Sequence, residues 1–494
     1  MKKEILCLLA LAVAVNVFSS WSYDPVTKKG TDSEGVWTLT FKEIAGSTDL
    51  CLSDRPVKNN TDVEPKADLD LAQFEADTGR RIVELAGSSM RVKTITSLNA
   101  PSVVKVGQYC FYENSTITNV SLSPNFNQAT GEYHFNACKK LVRFSPMTIS
   151  GMEIVPKAFM KGCESLEGEL SFPDATAVMT DALSSCKKIT KLSLPKVKSV
   201  INCQAMVSLT RLEINPDIEE FGNQAFRGAT QLTSISTTVF PKLTNVAYYA
   251  FFSVPNCGDW VCDNLRTVGG FAFSANSGIT SFTAPNLVRI ESDGFNKCTA
   301  MESMVISDDA FFISTNAFNS CSKLTSFSPY LPTNLVFLGW QAFRDTKIPQ
   351  VPSFISQNLT EIGGQCFRGP DKLFTEAVDF YSPIVSFGDC AFFEAKNGQV
   401  FNFYGKDAPL YIGKGAFGTG RCCRLNVKRR SALPGWAAHC LGNEARFETY
   451  KSRADYPGDR TIGLVYTGTG GGITESWHYV VDDTPPGGVV LMVL

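Results

Sequence analysis

The stretch IGKGAFGTG, residues 412 to 420, holds Gly413, Gly415 and Gly418 at the spacing G-x-G-x-x-G. After a strand and before a helix, that spacing lets backbone amides and a helix N-terminus hold a pyrophosphate. Thiol or imidazole chemistry is a second candidate, since the chain has 16 Cys and three His, His134, His439 and His478. Both readings depend on whether these residues form a unique site or belong to a unit that recurs.

They recur. VGQYCF ends at Phe111, FGNQAF at Phe226, VGGFAF at Phe273, LGWQAF at Phe343, IGGQCF at Phe367, FGDCAF at Phe392 and IGKGAF at Phe417. Looser copies place Phe135, Phe159, Leu183, Met206, Phe251, Phe295 and Phe318 between them, giving 14 anchors spaced 20 to 25 residues apart. A period of this size over more than half the chain is the signature of a repeat architecture. Gly413 is then the glycine of an apolar-Gly step shared with Gly107, Gly222, Gly269, Gly339, Gly363 and Gly388. Gly415 and Gly418 sit where other copies carry Gln, Tyr, Arg or Ser. The phosphate-binding reading falls away, and no cofactor is expected.

The rest of the unit keeps the same order. Cys138, Cys298 and Cys321 follow their Phe by three residues, and an apolar position such as Leu141 or Leu324 comes three residues later. A short alternating run then ends in Pro, as in KLSLP (191–195), LEINP (212–216) and SFTAP (281–285). Period-2 alternation reads as a strand. Each unit is one turn of a coil that cannot bury its apolar side alone, and stacking neighbours supplies the cover. Parallel strands stack at about 4.8 Å, so such a coil extends on the order of 65 to 70 Å.

With period, Pro, Gly, Ala-Phe and Cys in register, the unit resembles the BspA-type leucine-rich repeat over residues 88–430. Divergence is visible in Leu183 and Met206, which replace Phe, and in an insertion carrying Cys257 and Cys262. The resemblance implies a leucine-rich-repeat solenoid of about 14 repeats. Short parallel strands would line its concave face, the convex side would be irregular or short-helical, and caps would close both ends. It also implies a secreted or cell-surface protein that binds other proteins or acts in adhesion, without catalysis.

The ends do not repeat. MKKEILCLLALAVAVNVFSSWS (1–22) has basic Lys2 and Lys3, an apolar run and small residues Ser20 and Ser22 at positions −3 and −1, which reads as a secretory signal peptide. Residues 23–87 read as a β-rich N-terminal cap, with a strand in GVWTLTF (35–41) and a degenerate first coil in DLDLAQFEADTGRRIVELAG (68–87). Residues 431–494 read as a C-terminal cap and mobile tail, around an amphipathic stretch and Pro485 to Gly488. No segment after the signal is long enough to span a bilayer. With 19% charged residues, net charge −2 and no basic stripe, nucleic acid is excluded as a partner.

Three side-chain sets remain to be placed. Cys138, Cys163, Cys186, Cys298 and Cys321 follow the anchor by three or four residues and read as small buried apolar groups. Cys257 and Cys262, in CGDWVC, are the candidate disulfide. His134 precedes Phe135 and reads as a core or rim residue; His439 and His478 have no partner motif, so neither a metal nor a catalytic site is expected. The residues between the two inward positions of each strand are Ser121, Ser145, Ser171, Ser193, Glu213, Ser236, Thr283, Val305 and Ser328. Small polar groups suit the solvated face of a curved sheet. The sharper reading is a hydroxyl ladder for an extended extracellular protein or glycan, carried by Ser171, Ser193, Glu213, Ser236, Thr283 and Ser328. The competing function is a structural envelope or coat component that self-associates without a specific ligand.

Overall fold

The structure is a computed structural model. It describes residues 20–33, 37–58, 68–92, 95–329, 331–348, 353–369, 377–392, 399–413 and 416–417, with the backbone of five later strands between 423 and 493. The chain winds as a parallel β-solenoid, and each turn has three sides. On one side, twelve two-residue strands from Ile154–Val155 to Tyr411–Ile412 form a single sheet. Its register superposes the residue before the recurring glycine: Ile290 pairs with Ile313, Ile313 with Leu338, Leu338 with Ile362, and Ile362 with Phe387. Lys105–Val106 and Gln128–Ala129 continue the pattern in the sheet that begins at the N-terminus.

The second side carries the alternating runs. They form four separate parallel stacks, three of them opening on Asp68–Asp70, Glu167–Ser171 and Trp260–Val261 and a fourth on Ser353–Phe354. At two of the breaks a proline directly follows the last strand, Pro146 after Arg143–Ser145 and Pro329 after Ser326–Ser328. Proline has no N–H to donate, so it terminates a central ladder. Single bridges still join the stacks at two of the breaks, Thr148 to Ser171 just past Pro146 and Val239 to Val261 before the stack that opens on Trp260–Val261.

The third side is built from left-handed steps. Asn316 (φ 55°) and Ser320 (φ 61°) flank Phe318, and Tyr249 and Ser253, both at φ 57°, flank Phe251. Between these steps alternate N–H groups point to the next turn. The amides of Asn316, Phe318 and Ser320 donate to the carbonyls of Trp340, Ala342 and Arg344 at 2.8, 2.8 and 2.9 Å. Left-handed residues cannot continue an α-helix. Where short helices were one expectation for this side, the described repeats therefore have turns. The one helix among the described residues, Leu71–Thr78, lies before the repeats; Asp70 caps its start and Gly79 (φ 69°) its end.

All 14 anchors are buried, including Leu183 and Met206. From Phe251 to Phe417 the rings form an unbroken stack, with interplanar angles of 2° to 14° and centroids 5.2 to 6.0 Å apart. A second column from the strands meets the first edge-on. Phe327 lies 5.3 Å from Phe318 at 84° and 5.2 Å from Phe343 at 90°. Edge-to-face contact adds to simple burial, which accounts for the choice of Phe over Leu in these turns. The glycine of each unit is explained by close approach. A Cβ on Gly363 would overlap the Gly339–Trp340 backbone, and one on Gly413 the backbone at Gly388–Asp389.

At the N-terminus, Trp21–Asp24, Lys29–Asp32, Trp37–Glu43 and Leu50–Leu52 pair antiparallel in succession. Leu50–Leu52 then pairs in parallel with Ile82–Leu85, which leads into the first repeat at Lys105–Val106. Trp21, Phe41 and Phe74 pack together under this sheet. At the other end, Cys423–Val427 adds to the stack of longer strands, and Val489–Val493 closes its edge by antiparallel pairing. That last strand falls within the expected mobile tail, so part of the tail covers a sheet edge that would otherwise expose unpaired backbone.

Candidate binding surface

The side of the longer strands brings the sequence-predicted hydroxyls into register, in separate groups. Ser121 pairs with Ser145, Ser171 with Ser193, and Ser193 with Glu213. Thr283 pairs with Val305, and Val305 with Ser328. The breaks between stacks divide the row, so one uninterrupted ladder does not run along the coil. In the group beginning at Trp260–Val261 the row opens on an apolar residue, Val261.

These side chains differ in what they touch. Ser193 is buried, and its hydroxyl donates to the Glu213 carboxylate at 2.8 Å. Ser236 stands in for a missing rung: its Oγ accepts from the Ile214 amide at 3.0 Å and donates to the Ile214 carbonyl at 3.3 Å. Ser145, Ser236 and Ser328 are exposed, and Ser171, Glu213 and Thr283 half-buried. Beside the Ser171–Ser193–Glu213 group, ion pairs cross neighbouring turns, Lys188 to Glu167 at 2.8 Å and Lys191 to Glu169 at 3.6 Å. Solvated pairs of this kind contribute little stability, but they set a mixed-charge border beside the hydroxyls.

The cysteines have a role that a purely apolar reading missed. Cys138, Cys163, Cys298 and Cys321 each donate a thiol hydrogen bond to the carbonyl of the preceding anchor, Phe111, Phe135, Phe273 and Phe295, at 3.1 to 3.2 Å. Asn114 fills the same slot and donates to the Met90 carbonyl at 3.1 Å. In these turns the slot holds a small donor, while Leu209, Ala229 and Val254 fill it in others; the exchange of Cys for Asn was the available sequence signal. Cys257 and Cys262, the candidate disulfide, stand as free buried thiols, with Asn276 Nδ2 2.7 Å from the Cys257 sulfur. Burial pushes both thiols up to about 12, so neither is a nucleophile at neutral pH.

Comparison with known proteins matches this architecture. The BspA type leucine-rich repeat model matches in six copies over residues 86–190, 152–260 and 260–374. The chain belongs to that family. The stacked anchors Phe392 and Phe417 extend the same repeat beyond the matched residues. No curated protein sequence matches the chain. Among solved structures, a leucine-rich repeat protein of Bacteroides ovatus shares 16% identity over 73% of this chain and 92% of its own, with a TM-score of 0.40. A leucine-rich cell surface protein of Faecalibacterium prausnitzii shares 15% over 75% and 94%, with a TM-score of 0.33. A leucine-rich repeat protein of Eubacterium ventriosum shares 13% over 70% and 93%, with a TM-score of 0.37.

Of the imidazoles, His439 and the side chain of His478 lie outside the described residues. Among the described residues no group of three or more His, Cys, Asp or Glu is placed to hold a metal. His134 is fully buried; its Nε2 lies 3.0 Å from the Thr130 carbonyl and its Nδ1 has no partner. Burial pushes it down to about 4, with the Thr130 bond and the Glu132 charge pulling weakly the other way. The folded chain thus holds the neutral ring, whereas the unfolded chain protonates near 6.5. Its contribution is complete above that value and is lost as pH falls toward 4. At pH 5 the loss is on the order of 2 kcal/mol. We expect His134→Gln to flatten the fall in melting temperature between pH 7 and pH 5 relative to the parent protein; equal falls would refute the assignment.

Proposed function

We propose that this chain is a secreted or cell-surface binding protein that takes an extracellular protein partner along the side of its longer strands, without catalysis. The supporting observation is the in-register row of outward residues, Ser171–Ser193–Glu213 and Thr283–Val305–Ser328. An extended chain running across such a row meets one residue of the row per turn, small and polar at Ser171, Thr283 and Ser328, at the strand spacing of about 4.8 Å. Family membership supports a binding role, since solenoids of this kind present long surfaces built from repeated units. Among the described residues no helix is long and apolar enough to cross a membrane.

Secretion has one structural consequence. Cleavage after Ser22 would remove Trp21, which is buried, packs edge-on against Phe74 at 5.7 Å and donates its amide to Asp77 at 2.7 Å. Cleavage after Ser19, with Val17 and Ser19 at positions −3 and −1, keeps that hairpin whole. N-terminal sequencing of the secreted chain is expected to read Ser20 first; a start at Tyr23 would contradict this.

The second reading, a self-associating coat component, draws on exposed apolar residues next to the twelve-stranded sheet, Phe311, Val336 and Val385, which are 36%, 45% and 41% exposed. The two readings separate in one experiment. Because Ser193 and Ser236 are tied into the sheet, the variants to use are Thr283→Glu and Ser328→Glu. Pull-down from extracellular matrix extracts is expected to lose the captured partner in both variants, while light scattering shows the parent protein as a monomer. Capture unchanged in both variants removes the strand side as the site; concentration-dependent assembly without capture favours the coat reading.

A further inference from the structure

The side of left-handed turns carries one side-chain arrangement twice. In the first copy Arg91 lies 4.9 Å over the Tyr112 ring, Tyr112 meets Tyr109 edge-on at 5.3 Å, and Tyr109 stacks on Tyr133 of the next turn at 5.2 Å and 6°. In the second copy Arg227 lies 4.7 Å over the Tyr249 ring, Phe252 meets Tyr249 edge-on at 5.0 Å, and Tyr249 stacks on Phe271 at 4.8 Å and 11°. The residues correspond position by position. Arg91 and Arg227 each follow a buried residue whose amide donates to the next turn, Met90 to Cys110 at 2.9 Å and Phe226 to Ala250 at 2.7 Å. Tyr109, Tyr112 and Tyr133 then match Tyr249, Phe252 and Phe271.

The two copies differ in charge. In the first, acids neutralise both cations: Glu113 lies 3.9 Å from Arg91, and Glu132 lies 3.3 Å from Lys157, whose ammonium is 5.4 Å from the Tyr133 centroid. In the second, Ser253 stands in place of Glu113 and Gly270 in place of Glu132. Arg227 is half-buried and donates to Gln224 at 3.0 Å, and among the described residues no carboxylate reaches it. Lying over Tyr249 holds the guanidinium plane but uses none of its in-plane N–H donors. A fixed fork with unused donors matches a carboxylate in two-point contact. The faces of Tyr249 are taken, one by Arg227 and the other by Phe271, so this cluster offers ring edges beside a cation. Tyr248, 48% exposed, borders it where Gly270 has no side chain.

We propose that Arg227 and Ser253 form a second protein-contact site, which takes an acidic polypeptide segment. An Asp or Glu carboxylate of the partner fills the place that Glu113 holds at Arg91, and an apolar side chain beside it packs on the edges of Tyr248, Phe252 and Phe271. Aromatic edges carry partial positive charge, which favours the same anion. A polyanion fits less well. Past the single guanidinium its further charges meet apolar edges and then Asp293, which follows Phe271 at the equivalent position of the next turn.

The test is an array of spotted hexapeptides in the frame Gly-Ser-X-Z-Ser-Gly, with X and Z running through every pair of residues, probed with the whole labelled mature chain. Polygalacturonate is spotted alongside. Spots that pair Asp or Glu with Phe, Leu or Ile are expected to bind about tenfold above their Asn or Gln counterparts, the scale of one charge-assisted contact. Arg227→Gln removes the cation, and Ser253→Glu supplies the missing acid within the chain. Glu suits that backbone, since Glu113 has φ 56° where Ser253 has φ 57°. With the fold of each variant checked by melting, both are expected to lose the preference for acidic spots. Arg91→Gln, in the neutralised copy, and Ser328→Glu, on the strand side, are expected to keep it. Equal binding of acidic and amide spots, an unchanged preference in Arg227→Gln and Ser253→Glu, the same loss in Arg91→Gln, or binding to polygalacturonate alone would overturn the proposal.

Discussion

Successive turns of the chain must lie at the spacing of hydrogen-bonded strands on all three sides at once. A ladder of short strands, a ladder of left-handed turns and, within each of its four stacks, a ladder of longer strands lock windings together, so a group pointing inward meets its equivalent at about 4.8 Å. At that distance a flat ring can lie over a flat ring, which is what Phe273, Phe295 and Phe318 do. A Cβ beside the backbone of the neighbouring turn has no room, hence glycine at Gly363 and Gly413. The carbonyls of Phe111, Phe135, Phe273 and Phe295 each take a compact donor from the next turn, hence Cys there. The unit is therefore one geometric condition written repeatedly in residue types.

This explains what could be read from the sequence. Position by position, the period places the anchors, and even the substitutes Leu183 and Met206 are fully buried. The short strands before the recurring glycine follow from the same count. What the sequence did not disclose depends on residues with weak local signals. The left-handed steps fall on Tyr, Gln, Asp or Ser as readily as on Gly, so no composition marks them. The division of the longer strands into separate stacks turns on single features such as Pro146 and Pro329. The register of Ser171, Ser193 and Glu213 was legible from alternation, but the capture of Ser193 by Glu213 needed the distance between two turns.

Inside, the repeat leaves little freedom; outside, each turn can carry almost anything. The earlier turns carry lysine–acid pairs, and the later ones carry rings, amides and bare apolar groups. Binding specificity in such a chain is a matter of which outward residues fall in line over several turns. The chain ends serve the column as well: Trp21 and Phe74 underlie the first turns, and Val489–Val493 covers the last strand of the wider side.

The column of rings carries this account, and thermal unfolding of two single variants tests it most directly. Phe318, fully buried between Phe295 and Phe343, is compared with the exposed Lys323 in the next part of the same turn. Phe318→Ala is expected to lower stability by about 3 to 5 kcal/mol, whereas Lys323→Ala should change it by no more than about 0.5 kcal/mol. Equal, small shifts in melting temperature for the two variants would mean that the rings do not hold the windings together.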